Sequence, residues 1–174
     1  MKFSETMLQG VFLVEPERKQ DERGFFSKIF CVREFEEYGL NPKINNCCIS
    51  FNKKRGTLRG MHYQADPSAE DKLVSCLTGK IFDVAVDIRP ESPSYRRWFG
   101  VELSAESHRA FYIPNGFAHG FITLTDDALV HYHISNYFDP NSERGLRWDD
   151  PAIGIRWPIE PSIISKRDLG HPLL

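Results

Sequence analysis

The 174 residues, 41% hydrophobic and 13% aromatic, suffice for one globular domain, which at this length buries roughly 70% of its unfolded surface without disulfide staples. A formal charge of -2, from 22 basic and 24 acidic side chains, excludes a net electrostatic drive toward nucleic acid or an anionic membrane, so an anionic ligand must be held by a local cluster. The opening segment lacks the apolar core of a secretory signal, and no apolar run reaches the roughly 18 residues of a spanning helix, so a soluble cytoplasmic protein is expected.

Apolar runs of strand length follow one another at 25–30, 44–51, 72–77, 81–88, 98–103, 110–113, 118–124 and 128–138. Turn signals separate them at 21–24, 77–80, 89–94, 114–116, 126–127 and 139–141. This spacing predicts an all-β antiparallel sandwich or barrel, and no linker or repeat divides residues 1–174. Within IFDVAVDI, Phe82, Val84, Val86 and Ile88 share one face while Asp83, Ala85 and Asp87 share the other. That alternation predicts a half-buried strand with one core face and one face lining something polar. Only 33–40, REFEEYGL, reads as a helix, short and at the surface, with Gly39 as its stop.

The most informative stretch is RGTLRGMHYQ, residues 55–64, which sets Arg59 shortly before His62. In a regular strand the two would face opposite ways, but Gly60 permits a bulge or close backbone approach that brings both toward one cavity. An imidazole that titrates near neutrality beside an anion-binding guanidinium points to acid/base chemistry on an anionic substrate. A strand histidine satisfying a core hydrogen bond is the plain alternative. Lys72, opening an apolar strand in EDKLV, could reach a cavity or simply be solvated. His119, enclosed in PNGFAHGF, is expected to be at least partly buried.

In HYHISNYF, His131 and His133 share one face and Tyr132 takes the other. If the histidines face inward they resemble metal ligands; if Tyr132 does, they are surface residues. Tyr63 and Gln64 after His62 do not continue a metal-binding HxH pattern, and no metal site is predicted. The four cysteines, Cys31, Cys47, Cys48 and Cys76, lack paired spacing and are expected to be reduced and mostly buried, with no catalytic role. Cys47 and Cys48 would point to opposite strand faces, against a shared metal or a bond between them. Asp168 becomes interesting only if the tail folds back beneath His62, where a buried carboxylate would fix the imidazole tautomer.

The segments DERGFFSKIF, GTLRGMHYQ, DKLV, GKIFDVAVDIRPESPSY, LSAESHRAFYIPNGFAHGF, Tyr132 with NYF, WDDPAIGIRWP and ISKRD occur in the order seen in nucleotide-sugar 3,5-epimerases. From about residue 10 to 168 the chain resembles the dTDP-4-dehydrorhamnose 3,5-epimerase family. The resemblance implies a cupin-type jelly roll with few short helices, a homodimer, no metal or organic cofactor, and a nucleotide-diphosphate sugar as substrate. It implies His62 as general base, Asp168 as its partner, Tyr132 as the acid on the opposite face, and Lys72 near the C4 oxygen. Arg23, Arg59 and His119 match substrate contacts, Phe138 stands at a nucleobase-stacking position, and Phe26, Lys28, Glu143 and Arg167 complete the implied binding set.

Two places depart from the family pattern: Cys47, Cys48 and Ile49 stand where the usual members have QDN, and Lys28 replaces a Glu. The reading is therefore epimerisation at C3 and/or C5 of a dTDP-linked 4-keto-6-deoxyhexose, with a single-carbon epimerase on another nucleotide sugar, such as a CDP-sugar, as an alternative. From other classes stand a metal-dependent cupin using His62, His119, His131 and His133, and a non-catalytic nucleotide-sugar binding protein.

Overall fold

Short apolar runs closed by tight turns can bury their backbone polar groups only by pairing with one another. In the computed structural model, which describes residues 1–174, they do so almost throughout. The N-terminal part contains β1 (Lys2–Glu5), β2 (Phe12–Glu15), β3 (Arg18–Asp21), β4 (Gly24–Ser27) and α1 (Val32–Glu37). The central part contains β5 (Asn46–Asn52), β6 (Thr57–Gln64), β7 (Lys72–Thr78), β8 (Lys80–Asp87), β9 (Trp98–Ser104) and β10 (Ala110–Ile113). The rest is β11 (Phe117–Thr123), β12 (Ala128–Ile134), β13 (Glu143–Gly145), β14 (Ile163–Ile164) and α2 (Lys166–Leu169).

One sheet runs β1-β2-β10-β7-β12-β5 and the other β13-β6-β11-β8-β9, with β14 added parallel to β6. The crossing of neighbours distant in sequence makes this the expected all-β jelly roll. The β3–β4 hairpin stands apart from both sheets.

Between the sheets lies a core that takes Val74, Cys76, Phe111, Ile113 and Val130 from one sheet and Ile81, Ala85, Leu103, Phe117 and Phe121 from the other. A second cluster, with Phe3, Val14, Phe35, Leu73 and Tyr112, seats α1 on the outer face of the first sheet. Here α1 begins a residue earlier than its predicted start and buries Phe35, while Gly39 at φ +69 ends the helical turn as expected. A third cluster packs Met61, Val84, Val86 and Ala118 beneath Leu146 and Ile153 of the C-terminal segment.

That third cluster corrects the expectation for β8. The strand is buried on both faces, because the C-terminal segment covers the face that a lone sandwich would leave wet. Asp83 and Asp87 are both 0% exposed, each beside Ala85 on the inward face. Asp87 is held by Arg89, Ser92 and Ser94. Burial pushes its carboxyl up, but those hydrogen bonds outweigh the burial and bring it down to about 2. The cysteine expectation also needs correction: only Cys76 is buried, while Cys47 and Cys48 are exposed because β5 is an edge strand. All four thiols are free.

Within the second sheet the geometry tightens at one place. β6 and β11 pair His62 with His119, and the register then shifts before Phe121 meets Arg59. Gly60 has φ +123, and a Cβ there would lie 2.6 Å from the Gly120 Cα and 2.8 Å from the His119 carbonyl oxygen. A Cβ on Gly120 would lie 2.8 Å from the Arg59 carbonyl oxygen and 2.6 Å from Met61 Sδ. Both glycines are thus required by backbone approach. Gly120→Ala is expected to destabilise the protein by about 1–3 kcal/mol, through forced strand separation. Urea unfolding checks this: the midpoint should fall at unchanged slope, and an unchanged midpoint would show that the strands part there freely.

Candidate active site

The Gly60 conformation does for β6 what the sequence pattern allowed. At the register shift beside Gly60, Arg59 Nε donates to Asn52 Oδ1 at 2.7 Å, and the Arg59 charge opposes the rise of the Tyr132 phenol. His62 is held from behind. Ser165 caps α2, its Oγ accepting the Asp168 N–H at 3.0 Å, and this single turn delivers Asp168 under β6. Asp168 is 4% exposed; its Oδ1 lies 2.9 Å from His62 Nε2, and its Oδ2 accepts the Gly60 N–H at 3.1 Å. Burial pushes the Asp168 carboxyl up, but the bonds from His62 and Gly60 more than offset it and leave it below the ordinary carboxylate value. The imidazole keeps about a third of its surface open, and Nδ1 is its nitrogen turned away from the carboxylate.

The opposite wall belongs to the other sheet. Tyr132 on β12 packs against the inter-sheet core, and its ring lies 6.2 Å from that of His119, nearly perpendicular. His119 is fixed in turn by Asp83, at 2.7 Å between Nε2 and Oδ1, with both residues buried. Burial pushes the Tyr132 phenol well above its ordinary value, and the Asp83 charge adds to this while Arg59 opposes it. Burial likewise raises Asp83, against the charges of His119 and Lys72. Lys72, at the start of β7, pairs with Glu70 at 2.8 Å, both side chains being 11% exposed. Lys72 is therefore not the solvated lysine that its position alone allowed. Asp83 Oδ2 is buried without a hydrogen-bond partner.

Beside His62, β13 pairs Gly145 with His62 and Glu143 with Gln64, and Glu143 forms an ion pair with Arg167. Gln64 Nε2 donates to the Tyr137 carbonyl at 3.1 Å and Gln64 Oε1 accepts the Asp139 N–H at 2.7 Å. These two bonds fix the turn that carries Phe138, whose ring is 63% exposed.

Three residues of the implied binding set do not join this cavity. Arg23 pairs with Asp21 at the tip of the β3–β4 hairpin, and Lys28 pairs with Glu34. Phe26 and Lys28 line a groove with His133, on the outward face of the sheet whose inward face carries Tyr132. The same alternation removes the metal-cupin arrangement: His131 and His133 face outward and cannot share a shell with His62 and His119. They are not simple surface residues either, being half-buried among Val14, Leu73 and Ala110.

Sequence reasoning missed Asp83, Glu70 and His171 as parts of the site. Asp83 was visible in the alternation of β8, but its pairing with His119 requires the β8–β11 register. His171 stacks edgewise on His62 at 5.6 Å and sits 3.7 Å from Asp168; burial and the neighbouring His62 lower its pKa. Its spacing of three from Asp168 was the only signal.

Comparison with known proteins places this geometry. The sequence model of the family described as dTDP-4-dehydrorhamnose 3,5-epimerase matches residues 5–174. The dTDP-4-dehydrorhamnose 3,5-epimerase of Salmonella typhimurium is 44% identical over 171 residues, covering 97% of this chain and 93% of the relative. The crystal structure of the Bacillus anthracis dTDP-4-dehydrorhamnose 3,5-epimerase with TDP and PPi bound superposes with a TM-score of 0.96 at 37% identity, covering 99% of each chain. The Legionella pneumophila dTDP-6-deoxy-D-glucose-3,5-epimerase in complex with dTDP-4-keto-L-rhamnose gives 0.93 at 40% identity, covering 99% of this chain and 92% of that one. With identity at this level along nearly the whole chain, and with the same fold, the protein belongs to the dTDP-4-dehydrorhamnose 3,5-epimerase family, a family of isomerases.

Proposed function

We propose that the protein epimerises dTDP-4-dehydro-6-deoxyglucose at C3 and C5 to dTDP-4-dehydrorhamnose. The observation that carries this reading is that two proton carriers of different kind, His62 and Tyr132, stand on facing sheets. A sugar ring between them meets a base on one side and an acid on the other, which is what inversion at carbon demands. Carbons 3 and 5 both lie alpha to the C4 ketone, so their protons become removable once the enolate oxygen is stabilised. Neutral His62 takes the proton on Nδ1, Asp168 stabilises the imidazolium, and Lys72 offsets the charge developing on the C4 oxygen.

Tyr132 then delivers a proton to the same carbon from the other face. One proton leaves and one arrives, substrate and product are isomers, and the balance requires no oxidant or reductant. A phenol, whose ordinary value is about 10, keeps its proton throughout the neutral range, and burial of Tyr132 acts in the same direction. His119, oriented by Asp83, and Arg59 contact the sugar and diphosphate, with Glu143, Arg167 and Phe138 beside them. The dTDP assignment draws on the relatives, one of which is bound to TDP and another to a dTDP-linked keto sugar.

The same reading makes the protein a homodimer. Phe26 and Lys28 lie across the sheet from their own Tyr132, and Arg23 sits at the exposed tip of the β3–β4 hairpin, so the three serve a substrate only if they belong to the neighbouring subunit's site. The exposed Phe25 and Phe26 of the hairpin supply apolar surface for such a contact. A cytoplasmic location fits four free thiols, and no helix is long and apolar enough to cross a membrane.

The direct test incubates the protein with the keto sugar in deuterated water and follows C3 and C5 by NMR. Exchange at both carbons is expected with the dTDP sugar, lost in His62→Ala and retained without net inversion in Tyr132→Phe. Absence of exchange with either dTDP or CDP sugars sinks the reading, and preference for the CDP sugar corrects the nucleotide.

A second measurement addresses the phenol. Burial disfavours its ionised form in the fold, so the folded protein loses stability as pH rises past the ordinary phenol value of about 10. Wild type and Tyr132→Phe should therefore show the same number of tyrosines ionised by about pH 11 in the ultraviolet. One fewer in the variant would mean that Tyr132 ionises normally.

The dimer is tested by mixing inactive His62→Ala and Arg23→Ala proteins after unfolding and refolding them together. Random pairing should restore roughly a quarter of wild-type activity, since half the dimers are mixed and each has one intact site. A mixture no more active than its components would show that Arg23 acts within its own chain.

A further inference from the structure

A second constellation of donors lies on the other side of the first sheet. His131 and His133 are two apart on β12 and share its outward face, and their rings lie 4.7 Å apart. Cys47 sits directly across from His133 in the β5–β12 register, so its thiol joins them on that face. The nearest donor atoms of Cys47, His131 and His133 all lie within 4.8 Å of one another.

We propose that Cys47, His131 and His133 form a zinc site outside the catalytic cavity, which clips the edge strand β5 to β12.

The donor set itself selects the ion. One thiolate and two imidazoles suit a borderline-soft ion such as zinc and not the oxygen-seeking magnesium or calcium. Tetrahedral zinc holds such donors roughly 3.4–3.6 Å apart, so closure needs a movement of about 1 Å. Cys47 is exposed on an edge strand, and rotation of its side chain supplies that movement.

A separate observation points to a ligand here. His133 Nδ1 is buried and has no hydrogen-bond partner, an arrangement that costs free energy unless something accepts its lone pair or proton. Phe30 packs edgewise on the His133 ring at 5.4 Å, while Leu73 and Ile29 form an apolar wall around the two imidazoles. Such a wall limits the ways the rings can turn and excludes water that would compete for the ion. The fourth coordination position faces the open side near Cys47, where a water molecule completes the tetrahedron and the ion enters.

The site is separate from the His62–Asp168 pair. His62, Asp168 and His171 also bring three donors together, but Asp168 is already bonded to His62 there, and the two clusters lie on different sheets. That second cluster provides the control for the experiment.

The full-length protein, stripped with a chelator and reduced, would be titrated with cobalt(II) as a spectroscopic stand-in for zinc. One equivalent per chain should give a near-ultraviolet thiolate-to-cobalt charge-transfer band with visible bands of tetrahedral intensity, and added zinc should bleach both. Cys47→Ser should abolish the charge-transfer band, and His133→Asn should weaken binding by at least roughly tenfold. His62→Ala should leave the band intact. Zinc should also raise the melting temperature of the wild type and not of Cys47→Ser, as binding to the folded state alone requires. The proposal is overturned if no charge-transfer band appears, if the band survives Cys47→Ser, or if His62→Ala removes it.

Discussion

The contact on which the site depends is the Asp168 carboxylate, which reaches back 106 positions to take the His62 imidazole on one oxygen and the Gly60 N–H on the other. A buried carboxylate with no partner is costly, so the fold and the base secure each other. The clasp exists because Gly60 adopts a conformation that presents its N–H and because Gly120 gives the backbone room opposite. It also explains why one turn of helix suffices at the end of the chain. Ser165 caps that turn through the N–H of Asp168 itself, so the cap and the carboxylate that holds His62 are set by the same residues.

The buried carboxylates of this sandwich meet three different environments. Asp87 receives a bidentate guanidinium and two hydroxyls, and it is strongly stabilised as the anion. Asp168 receives an imidazole and one backbone N–H, enough to keep it ionised and ready to support a positive charge on His62. Asp83 receives only His119 and leaves one oxygen bare, so burial wins and its pKa rises. The order follows both the number of donors and the depth at which each carboxyl lies in the protein.

What could be read in the sequence follows from the range of each interaction. Strands with strong apolar alternation, such as β7, β9 and β10, were legible within a residue or so. β3, with the sequence Arg-Lys-Gln-Asp, was not, because every side chain is exposed and only pairing with β4 makes it a strand. The covered second face of β8 was equally hidden, since the segment that covers it lies some sixty residues later. Of the site, His62, Lys72, Tyr132 and Asp168 were legible by motif, and the alternation at 131–133 correctly reduced the choice to two orientations. The His119–Asp83 pair and the placement of Phe26 and Lys28 beside His133 depend on register and layer, which no local pattern records.

The departures from the family pattern fall in one region of the molecule. Lys28 lines the groove that His133 borders, and Cys47 and Ile49 stand across β5 from His133 and His131. Only Cys48 shares the inward side, opposite Tyr132. The proposed proton carriers and their supports are drawn from β6, β7, β8, β11, β12 and α2, and none of those contacts involves the hairpin. Proton transfer needs fixed distances within a tightly registered pair of sheets, where a single Cβ at Gly120 would be felt. An edge strand and a detached hairpin tolerate change without moving that machinery. The physical division therefore lets residues 28 and 47–49 vary in what they bind while the reaction centre stays fixed.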